Sequence, residues 1–188
     1  MDFEKHHKFY PIESLFENFY QLEDETILLR ELKEEDAEDV LELYSEKDIS
    51  LYDKSPYIAD IEDAIRFINE INSCYYYRKR IDWAIVTKSS NKLVGLIAIH
   101  SLNSITHTAE VGYLINKKYR NKGIMTEALN IIIKFLFENV DLYSLNATIH
   151  IDNIASIMLC KKVGFKVNEY LSCENKLFLT LINARYYV

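Results

Sequence analysis

Apolar positions along this chain recur at two spacings, every second residue and every third or fourth, and the changes between them mark its elements. "TILLREL" reads as a strand, with Thr26 and Ile27 supplying β-branching. "KEEDAEDVLELYSEKD" places Ala37, Val40, Leu41 and Tyr44 at helical spacing, with carboxylates at its start as a helix dipole prefers. After Pro56, Ile61, Ala64, Ile65, Ile68 and Ile71 repeat at three and four, which predicts a second helix. Three strands follow in "DWAIVTK", "KLVGLIAIHSL" and "TAEVGYLINKK", with "SSN" as the turn between the first two.

A long helix over residues 123–139 comes next. Its "EALNIIIKFLFENV" is apolar on most of its circumference, so it is expected against a sheet rather than on the surface. "LYSLNATIHI" is a strand and "DNIASIMLCKKVG" a helix, with Asp152 or Asn153 as N-cap and Gly164 as C-terminal stop. "FKVNEYLSCENKLFLTLINARYY" supplies two strands around "CENK". The order β-α-α-β-β-β-α-β-α-β-β predicts a mixed α/β sheet with helices on both faces. Residues 1–24 read as an N-terminal extension carrying a short amphipathic helix (Ile12, Leu15, Phe16, Phe19), and residues 25–188 as one domain. No repeat or low-complexity linker interrupts them.

Composition narrows the function classes. About half of the 188 residues are hydrophobic and about a quarter charged, the range of a folded globular chain. No uncharged apolar run reaches membrane-span length. The start "MDFEKHHKFYPIESLF" lacks the basic and apolar segments of a secretory signal, so the expectation is a cytoplasmic protein off the membrane. A net charge of −7 argues against nucleic acid as a partner. Cys74, Cys160 and Cys173 form no CxxC and no ligand spacing with histidine, so neither a disulfide framework nor a metal site is expected. The adjacent His6 and His7 read as a solvated pair. Acidic residues crowd the first half, whereas Arg120, Lys122, Lys161 and Lys162 lie in the second.

One stretch carries chemistry. In "YRNKGIMTEAL", one of only four glycines sits at the mouth of the long helix beside Arg120 and Lys122. Unpaired backbone N–H groups, the helix dipole and two cations make a phosphate or pyrophosphate cradle, and Gly123 lets a ligand approach closely. A βα turn with ordinary surface cations is the competing reading. Neither Gly-x-x-x-x-Gly-Lys-Ser/Thr nor G-x-G-x-x-G occurs, which moves nucleotide hydrolysis and hydride transfer well down. No acidic Mg²⁺ motif accompanies the loop, which disfavours phosphoryl transfer.

Arg120-x-x-Gly123-x-Met125 resembles the acetyl-CoA pyrophosphate loop of the GCN5-related N-acetyltransferases (GNAT), with Met125 replacing the usual last small residue. "AEVGYLINKKYRNKGIMTEAL", "DNIASIMLCKKVGF" and "LLRELKEEDAEDVLELY" look like the matching segments of its ribosomal-protein-alanine and -serine N-acetyltransferase branch, RimJ/RimL. The similarity runs from about residue 26 to the C-terminus. It implies a mostly antiparallel sheet with a splayed parallel strand pair, and acetyl-CoA as cosubstrate without a metal. Gly112 would sit at a bulge that opens the splay. Pantetheine would lie along Leu114 and Ile115, and Arg120, Asn121, Lys122, Gly123, Ile124, Met125 and Thr126 would surround the pyrophosphate. Asn153 would bond the pantetheine arm besides capping its helix.

The resemblance further implies an amine acceptor, either a peptide N-terminus or a polyamine or other small amine, attacking directly in a ternary complex. Glu110 would be the base, acting through water, or a ligand for a cationic substrate; a backbone N–H near Val111 would polarise the carbonyl. Many members carry a tyrosine where this chain has Cys160, and Ser156, a turn earlier, is the implied donor to the leaving thiolate. Cys160 itself reads as a small buried residue rather than a nucleophile. Tyr52, Tyr57 and Trp83 are candidates for an acceptor wall or for core packing, as are Tyr75 to Tyr77 at the second helix's end. The alternative function is a catalytically silent CoA-binding or protein-interaction module; the expected assembly is a monomer or homodimer.

Overall fold

The protein is described here by a computed structural model covering residues 10–45 and 56–186. His6, His7 and Tyr52 lie outside the described residues. In chain order the elements are β1 (Leu22–Glu23), β2 (Ile27–Arg30), α1 (Ala37–Tyr44), α2 (Ile61–Tyr76), β3 (Ile81–Thr87), β4 (Lys92–Asn103) and β5 (Thr108–Ile115). They continue as α3 (Ile124–Asn139), β6 (Ser144–His150), α4 (Ile154–Lys162), β7 (Lys166–Val167) and β8 (Lys176–Ile182). The strands form one sheet in the order β1-β2-β3-β4-β5-β6-β8-β7. Neighbours are antiparallel except β5 and β6, which run parallel and are joined through α3.

Side-chain alternation divides the core between the two faces of this sheet. Ala84, Val86 and Leu96 face α1 and α2, packing on Val40, Leu43, Ala64 and Ile68. Trp83, Ile85, Ile97, Ile99 and Val111 point the other way, where Leu129, Ile132 and Leu136 of α3 and Cys160 of α4 cover them. The apolar circumference of α3 is thus explained by burial on the sheet. The N-terminal residues join this second layer: a short 3₁₀ helix, Ile12–Phe16, buries Ile12 and Leu15, and Tyr10 bridges Val140.

The expected elements form, with local departures. A two-residue strand, β1, precedes β2 and pairs with it, an addition the short stretch "LED" did not signal. The acidic run before α1 starts as a 3₁₀ turn, Glu34–Asp36, in which Asp36 accepts the Lys33 amide at 2.8 Å and the Arg30 guanidinium at 2.7 and 2.8 Å. Of the two N-cap candidates for α4, Asn153 takes the role. The expected bulge at Gly112 is absent from the β4–β5 ladder: Gly112 pairs regularly with Ala98. The irregularity lies between His100 and Asn103, where Ser101 has a φ of 50°.

The splay therefore has a different origin. β5 and β6 pair only over Thr108–Glu110 against Ser144–Asn146. Past those residues β5 stays with β4, through Ile115, while β6 stays with β8, through His150. Two parallel strands held by different partners separate without needing a bulge.

Candidate active site

A cavity of about 990 Å³ opens where β5 and β6 part, within the size range of small-molecule sites. One side is formed by Leu114 and Ile115 of β5 and by the mouth of α3; Asn153 and Ser156 of α4 form the other. The remainder runs over β3 and β4 at Arg80, Asp82 and His100, towards Tyr44 of α1 and Phe67 of α2.

The α3 mouth is built by two left-handed residues, Asn121 (φ 60°) and Gly123 (φ 86°), around Lys122. Glycine reaches that conformation without the penalty of a Cβ, and asparagine is among the residues that tolerate it best. Gly123 caps α3 and its carbonyl accepts the Glu127 amide at 3.0 Å, so the amides of Ile124, Met125 and Thr126 precede the first intrahelical bond. Met125 is buried and belongs to the core cluster on this face of the sheet. The Arg120 Nε donates to the Ile115 carbonyl at 3.4 Å, tying loop to strand, and the exposed Lys122 ammonium lies 5.0 Å from the Tyr119 ring centroid. A helix N-terminus capped by glycine, with two cations beside it, fits an anionic cosubstrate such as acetyl-CoA.

Opposite, the Asn153 Oδ1 accepts the Ser156 amide at 3.2 Å, fixing the start of α4. Tyr113, from β5, reaches α4 as well: its hydroxyl donates to the Ser156 carbonyl at 3.3 Å and lies 3.2 Å from the Cys160 sulfur. Burial pushes both the phenol and the Cys160 thiol up, so both keep their protons at neutral pH. A protonated buried thiol is a poor nucleophile.

The far half carries charge. The Arg80 Nε and Nη2 donate to the two Asp82 oxygens at 2.7 and 2.6 Å. Burial pushes the Asp82 carboxyl up while this fork opposes the rise. Burial also raises the Tyr44 phenol, reinforced by Asp82. His100 Nδ1 sits 3.0 Å from the Ser101 hydroxyl, and burial lowers its pKa, outweighing the raising field of Glu110.

Of the residues singled out in the sequence, Leu114, Ile115, Arg120, Asn121, Gly123, Ile124, Met125, Thr126, Asn153 and Ser156 all line this cavity. Lys122 and Glu110 do not. Glu110 is half-buried on β5 beside the parting of the strands, and accepts from the Thr148 hydroxyl at 3.4 Å. Trp83 is a core residue on the opposite face, its indole N–H donating to the Tyr20 carbonyl at 2.7 Å. Tyr57 is exposed, and Tyr75 packs against Phe16 and Phe19 instead of entering the site. Sequence reading missed Arg80, Asp82, His100 and Tyr113. The signal for His100 is parity: it lies opposite Glu110 in the β4–β5 register, which no local pattern reveals. Among the described residues no group of three or more potential metal ligands gathers, and no helix is long and apolar enough to cross a membrane.

Residues 26–166 match the acetyltransferase (GNAT) domain family. The chain belongs to the GNAT acetyltransferases. An uncharacterized N-acetyltransferase, YoaA, of Bacillus subtilis is 28% identical over 145 residues, 77% of this chain and 82% of that protein. The spermidine N(1)-acetyltransferase of Escherichia coli is 25% identical over 150 residues, covering 79% and 77% of the two chains. A ribosomal-protein alpha-N-acetyltransferase, RimL, solved with coenzyme A, superimposes with a TM-score of 0.75 at 15% identity, covering 87% of this chain and 98% of its own. That last likeness is one of fold. This GNAT chain is an N-acetyltransferase.

Proposed function

We propose that this GNAT protein transfers an acetyl group from acetyl-CoA to a primary amine, by direct attack in a ternary complex in the cytoplasm. The observation that carries the reading is one cavity shared by the free ends of β5, the α3 mouth and the α4 cap. At its α3 end, Arg120 and the amides of residues 122–126 hold the pyrophosphate, with the exposed Lys122 ammonium beside them. Leu114, Ile115 and Asn153 align the pantetheine arm. Acetyl-CoA supplies a thioester, an acyl group already activated for attack. A backbone N–H of the splayed part of β5 polarises the carbonyl, Ser156 donates a hydrogen bond to the leaving sulfur, and proton removal from the amine depends on the Glu110 carboxylate.

The acceptor is a small polyamine or a peptide N-terminus. Both classes occur among the chain's likenesses, as the names of the spermidine and ribosomal-protein enzymes state. The acidic Asp82 and Glu110 suit the ammonium form of either.

Acetyl-CoA at 100 times its dissociation constant should stabilise the protein by about 2.7 kcal/mol. The rise in melting temperature should vanish in the double variant Arg120→Glu, Lys122→Glu. No rise with millimolar acetyl-CoA would refute cosubstrate binding. Binding without thiol release across spermidine, N-terminal alanine and serine peptides and aminoglycosides would instead favour the silent CoA-binding module.

A further inference from the structure

We propose that the Nε2 atom of His100 takes the proton from the attacking amine, and that Glu110 acts through it as a positioning residue. This deepens the reading above and rests on it. The first observation is placement. Glu110 does not line the cavity and His100 does. The two are directly opposed on β4 and β5, so their Cβ atoms are roughly 5 Å apart on the face that also carries Ala98 and Gly112.

The second observation is how the ring is held. Its Nδ1 is engaged by the Ser101 hydroxyl at 3.0 Å, and Ser101 occupies a left-handed conformation at the irregularity in β4. Among the described residues no protein group bonds Nε2. Its edge faces Gly112: a Cβ built there would lie 3.5 Å from Nε2 and 3.9 Å from Cδ2. Glycine at 112 leaves that edge uncovered, just past the point where β5 and β6 separate. With Nδ1–H donating to Ser101, the lone pair of Nε2 is directed away from that bond and is free to accept.

The third is charge. Burial lowers the imidazole pKa, Glu110 on β5 and Asp82 on β3 raise it, Arg80 just before β3 lowers it, and the balance favours the neutral ring. Tyr44 on α1 stays an uncharged phenol, and α2 presents only Phe67 and Ile71 to the cavity. A neutral imidazole at neutral pH is a competent base, and the adjacent Glu110 carboxylate stabilises the imidazolium that forms.

The step balances. As the amine lone pair forms the C–N bond, one N–H proton passes to Nε2. The C–S bond breaks with its electron pair on sulfur, and the imidazolium returns the proton through solvent to give free thiol.

The experiment measures kcat against pH between pH 5 and 9 by thiol release, using spermidine and an alanine-terminated hexapeptide. Wild type, His100→Gln and Glu110→Gln are compared, and the His100 imidazole is titrated by NMR in the wild-type CoA complex. The wild-type profile should fall on its acidic side at the imidazole's own pKa, below the ordinary value of about 6.5. His100→Gln should lower kcat at neutral pH by about 100-fold and abolish that limb, leaving the acetyl-CoA-induced rise in melting temperature intact. Glu110→Gln should move the limb to lower pH, because losing an anion favours the neutral ring. An acidic limb that survives in His100→Gln, or one that departs from the NMR titration, overturns the proposal. The NMR comparison decides the matter even if His100→Gln does not fold. Wild type that binds acetyl-CoA but turns over neither amine would overturn the functional reading itself.

Discussion

Two glycines beside the cofactor strand are there for opposite reasons, and substitution should separate them. At Gly123 the nearest atom to an added Cβ is the Glu127 Oε1, 3.8 Å away, so there is room; the constraint is the φ of 86°. Alanine there should cost about 1–2 kcal/mol, the price of a left-handed L-residue, and should weaken acetyl-CoA binding by crowding the amides at the helix mouth. At Gly95 the backbone is ordinary, but a Cβ would lie 2.5 Å from the Leu114 carbonyl oxygen and 3.2 Å from the Ile115 Cα. Backbone cannot swing aside as a side chain can. Gly95→Ala should destabilise by about 1–3 kcal/mol and push β5 at the two residues assigned to pantetheine. Chemical denaturation and acetyl-CoA titration of both variants check this. A Gly95→Ala protein of unchanged stability would mean that β4 and β5 are not packed this closely.

Helix starts make a matched pair at the scale of elements. α2 begins with the Asp60 carboxylate accepting the Asp63 amide at 2.8 Å, and α4 with Asn153 accepting the Ser156 amide at 3.2 Å. Either side chain cut to alanine should cost about 1 kcal/mol of stability. Only Asn153→Ala should also weaken acetyl-CoA binding, since Asp60 lies away from the cavity. Equal affinity losses would show that the effect is general loosening rather than a lost contact. These elements were readable because their signals are local: a cap residue, a period of 3.6, a glycine with a helix behind it. The bulge at Gly112 was misplaced because a bulge depends on the partner strand, and β4 keeps regular register through that position. His100, Arg80 and Asp82 were hidden for the same reason. Which side of a sheet a residue faces depends on register, and sequence alone does not set it.

Across the whole molecule, one carboxylate joins the two halves of the site. Glu42 of α1 accepts from Lys118 at 2.8 Å, Lys92 at 2.7 Å and Asn116 at 3.0 Å. It thus ties the first helix to β4 and to the segment leading from β5 into the cofactor loop, a link between residues 74 and 76 positions apart. Bonds from Lys118 first, then Lys92 and Asn116, hold its pKa down from 4.5 to about 2. A carboxylate whose pKa is lowered on folding stabilises the folded state above its unfolded pKa and loses that contribution as pH falls through the folded one. Wild type should therefore be more stable than Glu42→Gln at pH 7, by about 1 kcal/mol once solvent screening of its exposed part is allowed for. The gap should close between about pH 4.5 and 2. The same substitution frees the entry to the cofactor loop, so acetyl-CoA affinity should fall at pH 7 although Glu42 does not line the cavity. Thermal melts of both proteins across that window, with and without acetyl-CoA, separate the two effects. A stability gap that stays constant down to pH 2 would show that Glu42 contributes by packing rather than by charge.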